Sequence, residues 1–136
     1  MCACPYLLNE DDYLLILFGD MPNIKPETLI DIQKLTQTNQ YEAILATATL
    51  ENPKGYGRIL EDDNGDFLGS VEDRDCNPEQ AKIKTVNAGI SCIKVSVVLE
   101  LIHKIKNDNS QQEYYLPDIF PLMLQKNYKI KLYNVN

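Results

Sequence analysis

The sequence predicts an α/β fold, a mixed sheet with helices on both faces, and three observations carry that expectation. A continuous apolar run, Tyr13 to Phe18, ends at Gly19-Asp20, which suits a strand covered on both faces in a parallel sheet. Between it and a second strand-like stretch, Ala43 to Leu50, the apolar residues Leu29, Ile30, Ile32 and Leu35 recur at helical spacing. Farther on, Val95, Val98, Leu99, Ile102 and Ile105 fall at i, i+3, i+4, i+7 and i+10, a second helical stripe.

The first helix is expected from Pro26 to about Thr38, because Pro26 suits the first helical position and Glu27 complements the positive end of the helix dipole. Asn52-Pro53-Lys54-Gly55-Tyr56-Gly57 reads as a loop, since proline cannot donate to a ladder and glycine admits positive φ. Arg58 to Leu60 and Phe67 to Val71 flank Asp62-Asp63-Asn64-Gly65-Asp66, whose Asn-Gly pair marks an antiparallel hairpin. One helical turn is expected over Asn77 to Lys82, with Asn77 as cap, followed by a strand from Lys84 to Lys94 that carries Asn87-Ala88-Gly89 midway. Pro117 and Pro121 predict a short, kinked helix within Glu113 to Lys126. Tyr128 to Tyr133 alternates apolar and lysine residues, as a strand near a sheet edge does.

The 136 residues are enough for one core, so a single domain over residues 1–136 is expected. A net charge of −7 works against a sequence-independent grip on a phosphate backbone, which argues against a nucleic-acid partner. The longest apolar run falls far short of the ~20 residues of a membrane span, and the amino terminus shows no signal peptide. A soluble, cytoplasmic protein without a membrane partner is expected. Cys2, Cys4, Cys76 and Cys92 form no C-x-x-C pair and read as free thiols. His103 is the only histidine and is expected on a partly buried face, which leaves a Ser-His-Asp mechanism with one thin candidate.

Taken singly, the polar candidates stay open. Asp20 stands at the carboxyl end of a predicted strand, where it is either a turn residue or a ligand for Mg²⁺. Gly55-Tyr56-Gly57 is either a turn or a close approach of backbone to a ligand. Glu72 and Asn87 each follow a strand-like stretch, where structural hydrogen bonding is the plain alternative.

In order, these segments resemble one family. Phe18-Gly19-Asp20-Met21-Pro22 with Glu27-Thr28-Leu29, then Asn52 to Ile59, Val71-Glu72, Asn87-Ala88-Gly89-Ile90 and Gln112 to Ile119, are similar to the uridyltransferase domain of the bacterial bifunctional N-acetylglucosamine-1-phosphate uridyltransferase/glucosamine-1-phosphate acetyltransferase. The resemblance covers the middle and latter part of that domain. It implies a doubly wound, Rossmann-like nucleotide-diphospho-sugar transferase fold that joins UTP to N-acetylglucosamine 1-phosphate with Mg²⁺, releasing pyrophosphate and UDP-N-acetylglucosamine, a cell wall precursor. It further implies Asp20 as a magnesium ligand and catalytic residue, Phe18 and Gly19 on the nucleotide side, and Gly57, Glu72 and Asn87 against the sugar. The attacking phosphate oxygen is already ionised at neutral pH, so such a site needs alignment rather than a general base.

The resemblance also implies a deficit. The family's Gly-rich triphosphate loop has no counterpart, because the six glycines, at 19, 55, 57, 65, 69 and 89, nowhere form a G-x-G-T motif. A second magnesium ligand would fall past Asn136, and the acetyltransferase domain is not represented. Pro117, Ala88 and Phe18 stand where the family usually has Thr, Thr and Tyr. The expectation is a protein inactive alone, active only with a companion polypeptide that carries the Gly-rich loop. The alternative is a non-catalytic sugar-nucleotide-binding module or structural oligomer partner. If half of the six apolar side chains of Tyr13 to Phe18 lack cover, at ~1.5 to 3 kcal/mol each, the lone chain is marginal and either dimerises, takes up a companion or aggregates.

Overall fold

The fold was determined as a computed structural model that describes residues 4–7, 9–19, 23–108 and 112–135. Among the described residues six strands and three helices follow one another: β1 (Tyr13–Leu17), α1 (Pro26–Gln37), β2 (Ala43–Thr49), β3 (Arg58–Glu61), β4 (Phe67–Val71), β5 (Thr85–Lys94), α2 (Val95–Leu101), α3 (Ile119–Gln125) and β6 (Ile130–Asn134). Short 3₁₀ turns over Asp73–Asp75, Gln80–Lys82, Ile102–Lys104 and Leu116–Asp118 join them.

The main sheet has the order β1-β5-β2-β6. It is mixed: β1 and β2 both run antiparallel to β5, while β6 runs parallel to β2. The central strand β2 is buried on both faces, and its alternation divides the core. Ala43 and Leu45 join Ile93, Val98, Leu101, Ile119, Phe120 and Met123 beneath α2 and α3. Ile44 and Ala46 join Ile90, Cys92 and Ile32 beneath α1. Helices on both faces of a mixed sheet are therefore what the chain forms.

The β3–β4 hairpin is a separate two-stranded sheet. Phe67 carries it onto α3 through an edge-on contact with Phe120, ring centroids 5.9 Å apart. Asp62 shapes its turn by accepting from the N–H groups of Asn64 (2.8 Å) and Asp66 (2.9 Å). Lys131 of β6 then ties the turn down through Asp66, at 3.3 Å.

Three expectations need correction. The Tyr13–Phe18 segment is neither covered on both faces nor in a parallel pairing: β1 lies at the sheet edge antiparallel to β5, and Leu15, Leu17 and Phe18 are exposed. The second helical stripe does not stay α-helical to Ile105; α2 ends at Leu101 and tightens into the 3₁₀ turn, which leaves His103 exposed rather than partly buried. No kinked helix spans Pro117 and Pro121. Pro117 belongs to its own 3₁₀ turn, and α3 starts afresh at Ile119, so Pro121 falls in a first turn whose N–H groups have no intrahelical partner to lose. The helical turn after Asn77 forms as expected: the Asn77 side chain accepts from the N–H of Glu79 (3.0 Å) and Gln80 (2.8 Å), its carbonyl accepts the Ala81 N–H (2.9 Å), and the turn closes as 3₁₀ over Gln80–Lys82. Among the described residues no helix is long and apolar enough to cross a membrane.

Candidate functional site

Backbone register, rather than sequence proximity, assembles the site. The β3–β4 pairing sets Arg58 opposite Val71, so the residues just outside that pair, Gly57 and Glu72, come side by side. A Cβ added at Gly57 would lie 3.6 Å from Glu72 Oε1 and 3.6 Å from the Val71 carbonyl oxygen.

Asn87 arrives from the main sheet. Between Leu45, which pairs with Ser91, and Thr47, which pairs with Asn87, β5 takes extra residues and bulges. Gly89 supplies the positive φ, +77°, that the bulge requires. Its N–H donates to Asn87 Oδ1 at 2.8 Å, and its carbonyl accepts the Phe18 N–H at 3.1 Å. The bulge thus fixes Asn87 and the end of β1 together.

Gly57, Glu72 and Asn87 line one pocket of about 200 Å³, with Phe67, Phe120 and Pro117 among its apolar walls. A narrow adjoining crevice shares Asn87 and Pro117 and has Phe18 at its other side. Of the residues named from the sequence, the structure brings together Gly57, Glu72 and Asn87, with Phe18 next to them. Gly19 is exposed beside Phe18 and has nothing within 4 Å of its Cβ position. Asp20, the expected magnesium ligand, lies outside the described residues. Among the described residues no group of three or more His, Cys, Asp and Glu side chains stands close enough to hold a metal ion. The described donors by themselves therefore do not make a magnesium site.

Two residues to which the sequence assigned no role hold the pocket's outer wall. Arg58, 3% exposed, donates from Nη1 to the carbonyl oxygens of Pro53 (2.9 Å) and Tyr56, and from Nη2 to Asp73 Oδ1 at 2.8 Å. Asp73 Oδ2 accepts the Gly55 N–H at 2.9 Å. That N–H, with the Arg58 guanidinium after it, holds the Asp73 carboxyl below its ordinary range. The signal was present in Gly57-Arg58 and Glu72-Asp73, where each clamp residue follows a pocket residue. The hairpin register that joins them was not.

A larger cavity, about 570 Å³, lies elsewhere, between α1 and the edge strand β1, with Leu15, Leu29, Ile30 and Cys92 among its walls. None of the residues named for the site lines it.

No family model matches the chain. The bifunctional protein GlmU of Clostridium novyi is 39% identical over 136 residues, covering 100% of this chain and 30% of that protein. GlmU of Trichodesmium erythraeum is 44% identical over 119 residues, 88% of this chain and 25% of that protein. The chain thus spans less than a third of the length of these curated relatives. Among solved structures, apo UDP-glucose pyrophosphorylase superposes with a TM-score of 0.68 at 18% identity, over 91% of this chain and 46% of that one. A CMP:2-keto-3-deoxy-manno-octonic acid synthetase complexed with CTP gives 0.65 at 15% identity, over 91% and 53%. At those identities the structures speak for the fold alone, and the relatives supply the rest: the chain corresponds to a partial GlmU-like uridyltransferase region built on the nucleotide-sugar transferase fold.

Proposed function

We propose that this chain provides the sugar-binding side of an N-acetylglucosamine-1-phosphate uridyltransferase, and that its pocket takes N-acetylglucosamine 1-phosphate or the sugar end of UDP-N-acetylglucosamine. The observation that carries this reading is the convergence of Gly57, Glu72 and Asn87 on one pocket of about 200 Å³ from three separate segments. These are the positions that the family resemblance assigns to the sugar. The chemistry of the wall fits such a ligand. Glu72 is exposed and offers carboxylate oxygens to hydroxyl donors. Asn87 has its oxygen engaged by Gly89, so a ligand would meet its NH₂ donor. Gly57 offers backbone without a side chain in the way.

Transfer would proceed by attack of the sugar phosphate on the α-phosphorus of UTP, which forms the new P–O bond as pyrophosphate leaves. What these residues do is hold the acceptor, whose oxygen needs no base to ionise it. Mg²⁺ would supply charge neutralisation on the triphosphate, with Asp20 as one ligand by resemblance. No G-x-G-T motif occurs in these 136 residues, so the triphosphate cradle is proposed to come from polypeptide outside them. The β1 edge and the cavity of about 570 Å³ beside it support that reading, because Leu15 and Leu17 on β1 and Ile30 on α1 are exposed there. One domain over residues 1–136, acting in the cytoplasm, completes the proposal.

Calorimetry with UDP-N-acetylglucosamine tests the binding reading. Glu72→Ala and Asn87→Ala should each weaken binding by about tenfold or more, the cost of a lost hydrogen bond in a partly desolvated pocket. Affinities equal to the parent's, or a parent that does not bind, overturn it. Pyrophosphate release from UTP, Mg²⁺ and N-acetylglucosamine 1-phosphate should be close to background for the chain alone. Robust turnover would remove the companion from the scheme.

A further inference from the structure

Residues 53–57 form the loop that brings Tyr56 and Gly57 to the pocket wall, and a loop needs a reason to hold one shape. Arg58 supplies it. Its guanidinium is buried, with 3% exposure, and its Nε has no hydrogen-bond partner among the described residues. A cation taken out of water must be compensated by the partners that remain, here two loop carbonyls and one carboxylate. If the loop swung outward, the Pro53 and Tyr56 carbonyls would leave and the buried cation would keep only the Asp73 carboxylate, so the loop stays wrapped around it. Asp73 closes the circuit from the other side. One of its oxygens holds Arg58 and the other holds the Gly55 N–H, so a single carboxylate fixes both the cation and the tip of the loop. The two clamp residues immediately follow Gly57 and Glu72, so the same bonds set the separation of those two pocket groups.

We propose that the Arg58–Asp73 pair is a positioning device for the pocket, holding the 53–57 loop in the shape that presents the Gly57 backbone beside Glu72 to a sugar nucleotide. This rests on the sugar-site reading given above. Neither residue lines the pocket, and both act through the loop. Arginine is the fitting choice, because its planar fork donates in several fixed directions at once, whereas a lysine in its place offers one compact ammonium.

The test uses the whole chain, labelled with ¹⁵N, as parent, Asp73→Asn, Asp73→Glu and Arg58→Lys. The Asp73 side chain is 34% exposed, so Asp73→Asn can be made without opening the core, and it stays informative if an Arg58 variant fails to fold. In the ligand-free chain Asp73→Asn should shift the Gly55 amide proton upfield and raise the mobility of residues 53–57. The remaining amides should stay where they are. UDP-N-acetylglucosamine should bind Asp73→Asn about tenfold more weakly, with Asp73→Glu recovering part of the loss and Arg58→Lys recovering little. A loop in Asp73→Asn as ordered as the parent's, with the Gly55 amide unmoved, overturns the proposal. So does a loosened loop with undiminished affinity, since the pair would then serve the fold and not the site. A parent that binds no UDP-N-acetylglucosamine overturns the sugar-site reading instead, and loop order in the ligand-free chain still decides for or against the clamp.

Discussion

A methyl group at position 57 would have room in the fold, since its nearest neighbours stand at 3.6 Å, an ordinary contact distance. Gly57→Ala should therefore stay within about 0.5 kcal/mol of the parent in chemical denaturation. Its methyl would nevertheless stand on the pocket wall where a ligand meets backbone. UDP-N-acetylglucosamine affinity should fall while stability holds, and equal affinity would strike Gly57 from the site. Cys92 has a different consequence. It is buried beneath α1, and burial pushes its thiol up to about 11 from the ordinary 9.0. Below pH 9 both folded and unfolded chains keep the proton. Between about 9 and 11 the unfolded chain loses it first and gains stability, so the folded state weakens as pH rises through that window. Denaturation at pH 8 and pH 10 should show a larger loss for the parent than for Cys92→Ala, by about 1 to 2 kcal/mol. Equal losses would mean that this thiol is not held neutral by the fold.

At the scale of elements, the start of α1 is well prepared except at its cap. Pro26 stands in the first turn and Glu27 follows it, but Lys25 occupies the cap position at φ −74° and ψ 135° with no side-chain hydrogen bond to the helix. Lys25→Asp should accept an N–H of the first turn and replace an unfavourable charge at the positive dipole end, adding about 0.5 to 1 kcal/mol in denaturant melts. No gain would mean that the chain entering from Lys25 prevents the cap from closing. The same helix shows why some elements were legible from sequence. In α1 and β2, apolar spacing, proline placement and strand alternation all point the same way, and the expected bounds agree with Pro26–Gln37 and Ala43–Thr49 to within a residue. In α2 the stripe ran on to Ile105 because that side chain is still buried, although the backbone had already tightened after Leu101. Periodicity reports which residues face the core and not which hydrogen-bond ladder carries them. Around Pro121 the proline itself was plain, but its meaning depended on where α3 begins, which is set by the packing of Ile119 and Phe120 under the sheet.

At the scale of the molecule, the site was legible only through the family's ordering of segments. Gly57, Glu72 and Asn87 meet because a hairpin register and a bulge bring them together, and neither long-range pairing is written in local pattern. The Arg58–Asp73 clamp was invisible for the same reason. Reading β1 as a strand covered on both faces in a parallel sheet was the converse error: its apolar run describes what the strand needs, while the sheet order describes what covers it. Tyr13, Leu15 and Leu17 share the α1 face of the sheet, and Leu15 and Leu17 remain 42% exposed. Phe18 adds a third large apolar group at the strand's end, and the outer ladder of β1 pairs with no described strand. An apolar, unpaired edge invites another strand. The chain should therefore self-associate in sedimentation velocity as its concentration rises, and Leu15→Lys should shift it toward monomer by putting a charge on that edge. Because Leu15 is already partly open to water, the folded state should survive the change, with the far-ultraviolet circular dichroism of the parent. A monomeric parent at every concentration would show that this edge needs no partner. If the parent associates, adding a companion polypeptide that carries the Gly-rich loop should dissolve the self-association and raise pyrophosphate release together, since both would occupy the β1 edge. Release without dissociation would place the companion on another surface.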